Sequence, residues 1–396
     1  MVDVKSAYRG NLKKHWRAPV ARPGSINVGV IEPNYGMERV TYALRHRAYT
    51  HTIAQGLRFR AFRRRSNYFD MTPVVLARGY DLIHAWNSTP RNGRFVSSVE
   101  MEFPRLFGDV SPAQRAYALD RVASPDCRGI WTLSEAAMRL ATRSFDRIGR
   151  PELAAKLDIF RGSITERAVA PSFNQPRTPG APLKILFVAS NGLLKGLYPL
   201  VAAARDVVRG GGNLHLTIVG SFSSRSHAVP GIDFERGEIA EDAQKLPWIT
   251  IHRSLPNDQV RALMDTHDVL AHLTIDESLG WVPIEAAMSG LPTIATNAFA
   301  LPEFVLDGKT GWIVPIQLNE DRRWHYTGLG GTEGRDAFIA TEDAMKASLI
   351  RILSDIQQDP QTIAEYGQAA YGLALKRYHP DVAAEHLAAL YTEALN

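Results

Sequence analysis

The chain has 396 residues, 45% hydrophobic and 22% charged, which is enough for two domains with ordinary cores and lacks the bias of a disordered or fibrous chain. One cysteine, Cys127, excludes an internal disulfide framework and fits a reducing compartment; no run approaches the ~20 apolar residues of a membrane span, and the opening M-V-D-V-K-S-A-Y-R-G has no apolar leader segment. The net charge of +5 divides unevenly: residues 1–180 hold 29 Lys and Arg against 15 Asp and Glu, a balance of +14, and residues 181–396 hold 17 against 26, a balance of −9.

Residues 1 to about 24 are polar and basic and read as an extended arm. Ile26 to Ile31 (I-N-V-G-V-I) reads as the first buried strand. A turn with Gly36 follows, then helical spacing through Val40, Ala43 and Leu44, a nucleotide-fold opening. Arg45, Arg47, Arg58, Arg60, Arg63, Arg64 and Arg65 interleave with Tyr49, Phe59 and Phe62. The cluster reads as a patch for anionic lipid headgroups, as a nucleic-acid surface, or as a solvated helix face. Further strands are expected at Phe95 to Val99 and at Leu157 to Phe160. Gly129 to Leu133 reads as a strand running into a helix capped by Ser134. Residues 168–182 have linker composition, which places a domain boundary near 178/179.

Lys184 to Ala189 is apolar throughout, as a buried parallel strand requires. S-N-G-L-L-K-G follows, then a helix from Leu197 to Val208. Leu214 to Gly220 and Trp248 to His252 continue the sheet. Residues 221–246 read as a polar insertion and Asn257 opens a capped helix. Residues 317–336 carry several glycines with Trp324, His325 and Tyr326, and read as a functional or mobile loop. Helical spacing runs from Thr341 to the end, broken near Tyr378 to Asp381. The alternation predicts an α/β chain with two parallel sheets, and ligands bind beyond the carboxyl ends of such strands.

The most informative stretch lies between those last elements. Val269 to Leu273 reads as a strand, Asp276 to Gly280 as a loop, Pro283 as a first-turn helix residue, Gly290 and Pro292 as a helix stop, and Thr293 to Thr296 as the next strand. Ser278, Leu279 and Gly280 therefore precede a helix N-terminus, whose unpaired N–H groups and partial positive charge suit a diphosphate. Glu277 and Glu285 frame the loop eight positions apart, Glu285 being expected in the first helical turn. Read alone, Glu285 could equally be a helix-start residue and Glu277 a solvated loop residue.

E-S-L-G-W-V-P-I-E (Glu277–Glu285), continuing A-A-M-S-G-L-P-T-I-A-T, resembles the E-x7-E signature of retaining glycosyltransferases of family 4. A-L-P-E-F-V-L-D-G-K-T-G-W-I-V-P (Ala300–Pro315) extends the resemblance. It implies the GT-B fold: two Rossmann-like parallel α/β domains facing a central cleft, residues 1–178 on the acceptor side and 179–379 binding the donor, with a final helix of about 380–396 packing back on the first. It implies Lys195 on the donor diphosphate and Glu277 on the sugar as the catalytic pair. The donor would meet Ser190, Gly196, the main chain at Leu255, the Ser278-Leu279-Gly280 amides, the ribose-binding Glu285, and Gly36 in the first domain. Where relatives carry an arginine five positions before the lysine, this chain has Ser190; where many carry a histidine after Phe95 to Val99, it has Glu100 and Glu102. Tyr80 to Asn87 resembles a strand that brings His84 to the cleft.

The implied activity is transfer of a sugar from a nucleotide-diphosphate donor to a hydroxyl acceptor, a glycan or a lipid-linked molecule, with retention. A nucleotide-sugar epimerase and a non-catalytic subunit of a glycan-assembly complex are the alternatives. No metal and no cofactor beyond the donor is expected, nor nucleic acid as partner. A cytoplasmic place is expected, with the basic half available to the inner face of a membrane.

Overall fold

The computed structural model describes residues 23–31, 41–54, 56–57, 74–75, 79–101, 112–164, 170–173, 180–234 and 237–396. Gly36, Glu102 and the arginine run from Arg58 to Arg65 lie outside these residues. The chain divides into two compact units: Met1–Thr132 with Ala141–Ser163 and Asp381–Asn396, and Leu133–Leu140 with Ile164–Pro380.

The first unit is built on β1 (Ile26–Ile31), β2 (Tyr49–Ala54), β5 (Leu82–Trp86), β6 (Phe95–Val99), β7 (Cys127–Thr132) and β8 (Leu157–Ile159), with a short antiparallel pair, β3 (Gly56–Leu57) and β4 (Val74–Val75). The six long strands are all parallel in the order β2-β1-β5-β6-β7-β8. Helices α1 (Pro112–Ala123) and α2 (Glu135–Arg147) follow β6 and β7. Ser134 caps α2, its Oγ accepting the Ala137 N–H at 3.0 Å. Parallel strands must be covered on both faces, and β5 and β6 are buried along their whole length. Ile83, Ala85, Phe95, Ile130 and Phe145 form the centre of the core.

In the second unit β9 (Leu183–Ala189), β10 (Leu214–Gly220), β11 (Ile249–His252), β12 (Val269–His272), β13 (Thr293–Thr296) and β14 (Gly311–Val314) form a parallel sheet in the order β11-β10-β9-β12-β13-β14. The helices are α3 (Leu197–Arg209), α4 (Gly237–Lys245), α5 (Asn257–Met264), α6 (Trp281–Met288), α7 (Gly331–Gln358) and α8 (Gln361–Tyr378). The winding runs outward from β9 through β10 to β11, then returns to β12 and runs the other way. The carboxyl ends of β9 and β12 are therefore the switch point, where an open α/β sheet leaves a crevice.

Several elements differ from the sequence expectation: β2, β14 and α1 fall in stretches not read as strand or helix, and two further differences lie in the second unit. The stretch 221–246 contains α4 where a polar insertion was expected, and α7 starts ten residues before Thr341. Gly330 and Gly331 read as loop, but they sit at the helix start, where glycine is tolerated. The loop ahead of α7 is pinned. Trp324 is fully buried, donates from Nε1 to Thr341 Oγ1 at 3.1 Å, and meets Phe338 edge-on. Phe234 packs on the same Phe338 ring.

The last helix, α9 (Pro380–Leu395), belongs to the first unit from Asp381 onward. A buried polar chain ties it to the sheet. His51 Nδ1 lies 3.3 Å from the Tyr42 carbonyl, His51 Nε2 2.8 Å from Tyr391 Oη, His84 Nδ1 2.6 Å from the same oxygen, and His84 Nε2 2.8 Å from Ser98 Oγ. Burial holds both imidazoles neutral, His51 down to about 3 and His84 well below its usual range. A carbonyl can only accept, so His51 donates from Nδ1 and accepts from the Tyr391 hydroxyl at Nε2. Tyr391 then accepts from His84 Nδ1–H, and His84 Nε2 accepts from Ser98. One carbonyl thereby orders the whole chain. His84 is a satisfied core residue.

Candidate active site

The loop after β9 and the loop after β12 meet at the switch point. Gly196 caps α3 in the left-handed region at φ +73°, and a Cβ there would lie 2.5 Å from the Leu273 carbonyl oxygen. Glycine is therefore needed twice over, for its conformation and for the close approach of the strand end. Lys195, one residue earlier, is carried to the β12 side. Its Nζ donates to Glu277 Oε2 at 2.7 Å and to the Asp276 carbonyl at 3.1 Å. Of three N–H donors, one remains.

Glu277 Oε2 also accepts from His272 Nε2 at 2.7 Å, and Oε1 accepts the Ser278 N–H at 3.1 Å. Burial alone would push this carboxyl up. The Lys195 charge and the His272 and Lys195 hydrogen bonds outweigh it and hold Glu277 well below the usual carboxylate range. His272 is itself kept neutral by burial, against the opposing pull of Glu277. Because an ionised carboxylate only accepts, the His272 proton sits on Nε2.

Ser278, Leu279 and Gly280 then lead into α6. Gly280 is the N-cap at φ +101°, and a Cβ there would stand 2.8 Å from Leu301 Cδ2 and 3.1 Å from Phe304 Cζ. Leu279 buries its side chain, so this residue can offer a ligand only its main chain. Glu285 is the fifth residue of α6, one turn deeper than expected, because the helix starts at Trp281 directly after its glycine cap. Ser190 directly follows β9 and is exposed, its carbonyl accepting from Ser221 Oγ at 2.6 Å. Leu255, in the turn between β11 and α5, packs its side chain against the core around Leu186 and Val260 and leaves its main chain in the turn.

Four neighbours were not singled out by the sequence. His272 ends β12 and looked like part of a strand. Asp276 read as a loop breaker, yet its carboxylate takes His227 Nε2 at 2.7 Å and Arg323 Nη2 at 3.1 Å. His227 and Arg323 lie 49 and 47 residues away in the chain, beyond the reach of local pattern. Among the described residues no group of His, Cys, Asp and Glu could hold a metal ion, and no helix is long and apolar enough to cross a membrane.

This arrangement offers a cation, an ionised acid and amide donors around one helix mouth. Residues 170–322 match the family model for glycosyl transferases group 1. That stretch spans β9 to β14 and includes Lys195, His272, Asp276, Glu277 and Glu285, and it ends one residue before Arg323. The chain is 27% identical over 172 residues to a D-inositol 3-phosphate glycosyltransferase of Arthrobacter sp., covering 43% of this chain and 38% of the relative. A second such enzyme, from Pseudarthrobacter chlorophenolicus, is 26% identical over 264 residues, 65% of this chain and 54% of the relative. The alpha-maltose-1-phosphate synthase of Mycolicibacterium smegmatis is 23% identical over 185 residues, covering 47% and 41%. The chain thus spans about two-fifths to a half of the length of these curated relatives.

Among solved structures, the sucrose-phosphate synthase of Thermosynechococcus elongatus superposes with a TM-score of 0.57 at 16% identity, covering 88% of this chain and 84% of the other. HepE of Anabaena, solved with UDP and glucose, gives 0.51 at 16% identity over 79% and 78%. The fold is GT-B.

Proposed function

We propose that the protein is a retaining glycosyltransferase that moves a sugar from a nucleotide-diphosphate donor to a hydroxyl acceptor in glycan, polysaccharide or glycolipid synthesis. The observation that carries the reading is the Lys195–Glu277–His272 cluster at the mouth of α6, where the sheet reverses its winding.

The barrier in such a transfer is departure of the nucleoside diphosphate. Lys195, with one donor to spare, and the N–H groups of Leu279 and Gly280 would stabilise the charge that develops on it, the Ser278 N–H being held by Glu277 Oε1. Glu277 has three of its roughly four acceptor positions occupied, and the fourth suits a sugar hydroxyl. His272 and Lys195 hold the carboxylate fixed, so little reorganisation accompanies the reaction. Glu285 is assigned to the ribose, the Leu255 main chain to the base, and Gly36 to the acceptor side. The scheme uses no metal. The basic first half of the chain suits an anionic surface beside a lipid-linked acceptor, at the inner face of a membrane.

The test is a panel of UDP-, GDP-, ADP- and dTDP-sugars, read first by thermal shift and then by donor consumption with and without acceptor mixtures. Binding stabilises a fold by ~2.7 kcal/mol at 100 times Kd, so one base should raise the melting midpoint above the others. Sugar release or transfer with that donor is expected. Absence of any shift across the panel would remove the reading.

A further inference from the structure

Resting on this donor reading, we propose that Arg323, on the loop after β14, is a second cationic contact for the donor diphosphate. Lys195 cannot meet that charge alone, because Glu277 already neutralises it and two of its three donors are spent within the protein. Asp276 makes matters worse, placing a further carboxylate two residues before Ser278. The structure covers both of its oxygens, one with His227 and one with Arg323.

Arg323 has donors left over. Among the described residues its guanidinium makes one hydrogen bond, to Asp276, and its Nε is buried without a partner. The side chain keeps 28% of its surface exposed, so the group reaches solvent beside Asp276. A planar fork whose outer Nη donors are not all spent suits phosphate oxygens.

The backbone is bent to deliver this side chain. Arg322 is held at φ +60° and Phe299 at φ +45°, a conformation costly for side chains of that size. The Phe299 N–H donates to the Arg322 carbonyl at 2.7 Å. Asn319 closes the turn, its Oδ1 accepting the Asp321 N–H at 3.0 Å and the Arg323 N–H at 3.1 Å. These bonds hold the turn from Asn319 to Arg323 in one conformation, and Arg323 with it.

The experiment is calorimetric titration of the full-length protein with the nucleoside diphosphate it binds best among UDP, GDP, ADP and dTDP, and with the matching monophosphate. Arg323→Ala should weaken the diphosphate at least tenfold and the monophosphate far less; Arg323→Lys should keep part of the affinity. Should Arg323→Ala fail to fold, Arg323→Gln carries the same comparison. The loss must persist when Arg323→Ala is made on Asp276→Asn, where no carboxylate needs neutralising. Unchanged diphosphate affinity, an equal loss for both nucleotides, or a loss that vanishes on Asp276→Asn would overturn the assignment while leaving the donor reading intact. A wild-type protein that binds none of the four overturns the donor reading itself, and this contact with it.

Discussion

Glu277 stays ionised inside a largely buried setting because two donors share one of its oxygens. Removing one partner of such a pair leaves the other charge uncompensated, a change that costs ~3 kcal/mol or more. Lys195→Ala should therefore lower stability by about 3 kcal/mol and turnover by more than donor affinity, seen by denaturant unfolding and by kcat against KM; unchanged kcat would separate Lys195 from the chemistry. The pair was half legible in the sequence. Lys195 and Glu277 stand in recognisable motifs, whereas His272 is one buried residue in an apolar strand with nothing to mark its partner. His51 makes a prediction of another kind. Its folded value is about 3 against an unfolded value near 6.5, so the unfolded chain binds the extra proton between those values. Stability is full above pH 6.5 and falls as pH drops, by ~1.4 kcal/mol per pH unit per histidine. His84 behaves alike. Melting midpoints from pH 7 to 4 should fall, and His51→Asn should make the slope shallower; an identical slope would mean that the imidazole is charged in the fold.

At the scale of elements, strand positions were the most legible feature, since buried parallel strands are written as apolar runs such as Lys184 to Ala189. Helix starts were less so. Glycine can end a helix or begin one, and Gly330-Gly331 hid ten residues of α7. The same ambiguity moved Glu285 from the first turn of α6 to the second. Gly280→Ala tests how tightly the α6 mouth is built. At φ +101° with Leu301 2.8 Å from the added carbon, strain of ~1–3 kcal/mol is expected, with donor affinity falling as the Ser278 to Gly280 amides shift. Thermal unfolding and titration read the two effects, and a variant as stable and as tight as wild type would show that the cap is not a constraint. The buried chain from Tyr42 through Tyr391 to Ser98 lay beyond sequence reasoning, because its bonded partners are separated by up to 340 residues and only the folded register aligns them.

Over the whole molecule, two parallel α/β units account for the alternation of apolar runs and helical spacing, and the reversal of winding at β9 and β12 puts the site where such sheets bind ligands. The charge asymmetry is a property of the chain as a whole, +14 against −9; it bears on partners and not on fold. The most direct measurement is a crystal structure with a nucleoside diphosphate bound. The diphosphate should lie within hydrogen-bonding distance of Lys195 Nζ and of the Leu279 and Gly280 amides, with Glu277 still bonded to Lys195 and His272 alongside. A nucleotide lodged away from the ends of β9 and β12, or one whose phosphates avoid the mouth of α6, would contradict it.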